Sequence, residues 1–219
     1  MSNKNKKLES GRLVIYTVVG ILLCILVIVG LRFLFGTGFI TINNLHNLNI
    51  EGEESEINYI YNGFSFIRID PLWYTKVSAK GNIYNIPFRF GPREVEHIPI
   101  DMQKFSAKIV FLTMDPELTS RVAIAPIEIG RILGNKYDLL NIPVKSALTK
   151  IPEGKLQDYN DTIIKTCEDA TEVEAVFLFI SGNKTMVYEE NNCVIIQGVS
   201  DDDIIKAADR LAYGIIGVF

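Results

Sequence analysis

From Leu13 to Leu31 the chain runs nineteen residues without a charged side chain, nearly all Leu, Ile, Val or Gly. At 1.5 Å per residue a helix of that length rises roughly 28 Å, close to the hydrocarbon thickness of a bilayer. The pattern predicts a transmembrane helix over residues 13–35. Arg32 snorkels towards the headgroups, and Phe33 and Phe35 sit at the boundary. A cleaved signal peptide has a shorter apolar stretch and a small-x-small site. Gly36-Thr37-Gly38 is a faint match to such a site, but the run is too long, so a retained signal anchor is expected.

Beyond the anchor the pattern changes period. Residues 36–56, rich in Asn, Gly and Glu, read as a juxtamembrane stalk, partly helical through Ile40, Ile42, Leu45 and Leu48. Phe64 to Ile69 then alternates as a half-buried strand should, and Asp70-Pro71 closes it. Further strands are expected at 73–77, 84–90, 108–113, 144–148 and 162–165. Residues 119–134 suit a helix ending at Gly134, with a kink or a start at Pro126. Residues 175–180 and 184–188 flank Ser181-Gly182-Asn183 like the arms of a hairpin, and 193–198 reads as a strand. Ser200 caps a final helix whose apolar face is Ile204, Ile205, Ala208, Leu211, Ile215 and Ile216. The fold class is α+β: one N-terminal transmembrane helix, then a β-rich domain over residues 57–219 ending in a packed helix.

Charge gives this plan an orientation. Residues 1–12 carry Lys4, Lys6, Lys7 and Arg12 against Glu9, a net of +3. No Lys or Arg lies between Phe33 and Ile67, where Glu51, Glu53, Glu54 and Glu56 fall. The positive-inside tendency places the basic tail in the cytoplasm and the domain outside. Residues 33–219 hold 17 basic and 25 acidic side chains, net −8, which gives nucleic acid little electrostatic purchase.

Composition narrows the chemistry. Of three cysteines, Cys24 lies in the anchor, leaving Cys167 and Cys193 in a domain assigned to an oxidising space. A disulfide between them is expected, against the alternative of two buried thiols. His46 and His97 are the only histidines and share no metal-ligand spacing, so neither a metal nor another cofactor is expected. Asp201-Asp202-Asp203 cannot all face one ion and suit the start of the final helix. Trp73-Tyr74 reads as core in preference to a ligand groove. Asn160-Asp161-Thr162 and Asn183-Lys184-Thr185 are candidate glycosylation sites, exposed to that chemistry only if the domain lies outside.

The C-terminal segments Thr166-Cys167-Glu168-Asp169-Ala170, Asn192-Cys193-Val194-Ile195-Ile196-Gln197-Gly198 and Lys206-Ala207-Ala208-Asp209-Arg210-Leu211 carry a resemblance. They are similar to a group of uncharacterised membrane-anchored proteins of archaea with reduced genomes. The resemblance implies an envelope setting and no activity. It also makes Asp209 and Arg210 candidate partner contacts, with Ala207 and Ala208 allowing close helix packing.

The leading expectation is a non-enzymatic cell-envelope protein, tethered to the bilayer, serving assembly, adhesion or accessory contacts with an envelope partner or a second copy. A pilin-like subunit is one alternative. Another is an envelope hydrolase or ligand-binding module using carboxylates such as Asp115, Glu117 or Glu128.

Overall fold

A computed structural model describes residues 19–21, 25, 41–102, 106–154 and 156–219. The basic tail at 1–12, Cys24 and most of the anchor read at 13–35 lie outside them. Val19 to Ile21 and Ile25 are helical, and among the described residues no helix is long and apolar enough to cross a membrane. Residues 42–219 form one compact unit.

That unit begins inside the segment read as a stalk. Ile42–Ile50 (α1) is a helix whose buried face is polar, because His46 and Asn49 find partners on the strand beneath. Strands β1 (Asn58–Tyr61), β2 (Phe64–Ile69), β3 (Leu72–Ala79) and β4 (Asn82–Phe88) follow as an antiparallel meander in that order. Its turns Asn62-Gly63 and Lys80-Gly81 place both central residues at positive φ, the geometry that matches strand twist in two-residue hairpins. Asn49 Nδ2 donates to Ser65 Oγ (2.8 Å) and to the Phe66 carbonyl (2.9 Å), and His46 Nδ1 lies 2.7 Å from Ser65 Oγ. These bonds hold α1 on the outer face of the sheet.

A short helix, α2 (Pro92–Val95), leads to β5 (Ile100–Asp101) and β6 (Ile109–Met114). The helix expected over 119–134 is a 3-10 turn, Ser120–Ala123, running into α3 (Ile124–Leu133). Pro126 falls in its first turn, where no intrahelical donor is lost, and Gly134 caps its end. β7 (Val144–Leu148), β8 (Glu174–Ser181), β9 (Met186–Glu190) and β10 (Cys193–Gly198) complete a six-stranded mixed sheet ordered β5-β9-β10-β8-β6-β7. Of the strand expected at 162–165, one parallel bridge survives, Leu148 to Ile164.

The expected hairpin across Ser181-Gly182-Asn183 is corrected. β10 runs between its two arms, parallel to β8 and antiparallel to β9. The hairpin turn is Asn191-Asn192, both at positive φ (50° and 64°).

The last element, α4 (Asp201–Ile216), starts at Ser200, whose hydroxyl accepts from the Asp203 amide (3.2 Å), and ends at Gly217 at φ 87°. It packs on β8, β9, β10 and α3 while its Tyr213 ring meets Phe88 (4.3 Å) and Phe66 (5.5 Å) of the meander. Helices α3 and α4 therefore form a middle layer between two sheets, within one continuous apolar core. A smaller cluster lies on the far face of the six-stranded sheet, where Phe111, Val176 and Ile195 pack beneath Ile163 and Ala170. There Cys167 and Cys193 are joined by a disulfide, Cα atoms 5.2 Å apart, pinning the 163–170 segment to β10.

Candidate functional site

Two carboxyl side chains are buried among the described residues: Glu128 on α3 (6% exposed) and Asp209 on α4 (0%). Asp209 lies four residues after Ile205 and four before Tyr213, so helical spacing places it on the apolar face. Its Oδ2 accepts the Phe90 N–H at 2.8 Å, and the Tyr213 hydroxyl donates to the Phe90 carbonyl at 2.7 Å. Phe90 lies just beyond the end of β4, where the sheet ladder no longer satisfies the backbone. One helix thus supplies partners for both backbone groups of the half-buried Phe90.

The two acids face each other. Burial pushes Asp209 well above the usual carboxylate range, and the neighbouring Glu128 charge pushes it further. Glu128 is raised by burial too, opposed by its hydrogen bond with Asp209 and by the guanidinium groups of Arg89 and Arg131. A carboxylate can only accept, so a hydrogen bond between these side chains requires a proton on one of them. Burial and the Glu128 charge both favour the protonated form of Asp209. Glu128 Oε2 and Asp209 Oδ1 are buried with no hydrogen-bond partner.

Glu128 lines a surface hollow of about 280 Å³ with Pro71, Leu72, Pro87, Arg89, Ile124, Ile127 and Arg131. A second hollow of about 550 Å³ shares Ile127 and Arg131 and continues past Gly134 to Lys136 and Val144. Together they form a groove along α3 with an apolar floor and a cationic rim. Arg131 and Lys136 are exposed and enter no ion pair among the described residues.

This arrangement can hold a proton and present one acid edge to a bound group. It is poorly suited to glycoside cleavage, in which the two carboxyls flank the scissile bond about 5 Å or more apart. Here Asp209 is fully enclosed and cannot flank a bound sugar.

The residues singled out in the sequence scatter across the fold. Asp115 accepts from the Glu117 amide (2.9 Å), and Glu117 pairs with Lys150, so of the three named carboxylates only Glu128 joins the buried pair. Asp209, read as a candidate partner contact, is fully buried. Arg210 is half-buried with its guanidinium 3.8 Å over the Phe219 ring. Asp201, Asp202 and Asp203 diverge to Thr119, Arg121 and Lys206. Asn160, Asn183 and His97 are exposed. His46 is buried, its pKa lowered to about 4 by desolvation and by the Lys76 charge. Trp73 is buried against Tyr59, ring centres 5.3 Å apart.

No protein family, curated protein or solved structure matches this chain.

Proposed function

We propose that this is a cell-envelope protein held in the bilayer by residues 13–35, with a non-enzymatic domain outside that serves assembly or accessory contacts. The observation that carries the reading is the Cys167–Cys193 disulfide. Such bonds persist in oxidising spaces and are rare in a reducing cytosol, which agrees with the charge asymmetry about the apolar run. The buried acids support a non-catalytic role, because Asp209 already serves the Phe90 backbone. Protease added to intact cells should digest the domain, and its cysteines should resist alkylation until reduced. A domain protected in intact cells, with two free thiols, overturns the reading.

A second reading, a ligand-binding module centred on Glu128, is favoured by the hollow into which that carboxyl opens. Glu128→Gln keeps the shape and removes the charge. If that variant binds the same small molecules with unchanged affinity in a ligand screen, the second reading fails.

A further inference from the structure

One end of the four-stranded sheet carries two opposite charges side by side. The register pairs Asn58 with Ile67, Ile69 with Leu72 and Trp73 with Phe88. The Arg68 amide donates to the Ile57 carbonyl (2.7 Å), which brings the start of β1 to the same end. Residues 51–57, the 69–72 turn and the Pro87–Arg89 segment therefore share one edge of the domain, spread over about 14 Å, three strand spacings.

On the β1 side of that edge lies an exposed acidic segment. Glu51, Glu53 and Glu56 are exposed and enter no ion pair among the described residues. On the β4 side lies the groove rimmed by Arg89 and Arg131, in a domain whose net charge is strongly negative. Between and beside them isoleucines face solvent: Ile57 (56% exposed), Ile69 (39%) and Ile127 (51%). Glu128 Oε2, buried and unpartnered, lines the groove as well. Acidic and basic patches flanking exposed apolar side chains make a surface complementary to itself under a two-fold rotation.

We propose that this edge is an isologous contact between two copies of the chain, in which residues 51–57 of each copy lie against the Arg131 groove of the other. The exposed isoleucines of both copies close the centre. The proposal deepens the assembly reading above and rests on it for its setting. The dimer test does not depend on compartment, so each can fail alone.

The test uses the full chain in detergent micelles, with mass measured by light scattering after gel filtration across a range of concentration and salt. The wild type is expected to be a dimer that weakens as salt rises, since exposed charge pairs are screened. Arg131→Glu, and separately Glu53→Lys with Glu56→Lys, should each raise the dimer dissociation constant at least tenfold. An equimolar mixture of the two variants should form a heterodimer, because one contact then keeps its native sign and the other is restored with the signs exchanged. Mere misfolding does not produce that rescue. A wild type monomeric at every concentration, a dimer indifferent to both swaps, or swaps that weaken without rescue on mixing each overturn the proposal.

Discussion

Replacing Asp209 separates its two jobs, holding the Phe90 amide and holding a proton. Asp209→Ala removes the acceptor 2.8 Å from that part-buried N–H and leaves Glu128 facing a void. An orphaned buried donor costs about 1–3 kcal/mol, and the unpaired acid adds to it, so a loss of about 3 kcal/mol is expected. Asp209→Asn keeps the carbonyl acceptor and offers an amide donor where the protonated acid stood, so near neutral pH its cost should be under about 1 kcal/mol. The two variants differ further in pH dependence. Asp209 is raised in the folded state, so the fold binds more protons than the unfolded chain once pH exceeds the ordinary carboxylate value of about 4. The stability from this site is complete below that value and is lost as pH rises towards the folded pKa. One proton changes stability by about 1.4 kcal/mol per pH unit, the largest slope by which wild type and Asp209→Asn should diverge. Urea unfolding of the oxidised full chain in micelles, at steps from pH 4 to 8, reads the difference directly. Parallel stability curves for the two proteins would refute a proton held at Asp209.

Three further outcomes follow from other parts of the fold. Cys193→Ser, or reduction of the wild type, removes a bridge across 26 residues, which the chain-entropy argument values at about 3.5 kcal/mol, and thermal melts with and without reductant should show the loss. His46 has a lowered pKa of about 4, so the folded state binds fewer protons than the unfolded. Its contribution is present above about pH 6.5 and disappears as pH falls to about 4, worth at most about 3 kcal/mol, and His46→Gln should flatten that part of the stability curve. Gly198→Ala places a Cβ into the backbone of Asp203 and Ile204, where nothing flexible can yield, so a loss of about 3 kcal/mol or more in unfolding experiments is expected.

Local signals led where the physics is local. The alternation of Phe64 to Ile69, the Ser200 cap and Gly134 at the end of α3 all rest on neighbours within a few residues, and each element formed. Pairing is another matter. Periodicity marks β8 and β9 as strands but says nothing about β10 passing between them; the signal for that pairing is the Asn191-Asn192 turn. The polar face of α1 read as a stalk because its partners, Ser65 and the carbonyls of β1 and β2, lie 10 to 19 residues away. Glu128 could be named as an acid but not as one of a pair, since Asp209 is 81 residues further on. The clue was an aspartate on the apolar stripe of an amphipathic helix, where a lone charge needs an internal partner.

The helical middle layer has a kinetic consequence. The meander of residues 58–88 closes through two-residue turns, yet its inner face is covered by a helix more than a hundred residues later. The Tyr213–Phe90 and Asn62–Val218 bonds span 123 and 156 residues. Long loops must close before such contacts return any free energy, so a domain of this connectivity should fold on the millisecond-to-second scale of high contact order. Until α4 docks, the aromatic faces of both sheets stay wet and open to wrong associations.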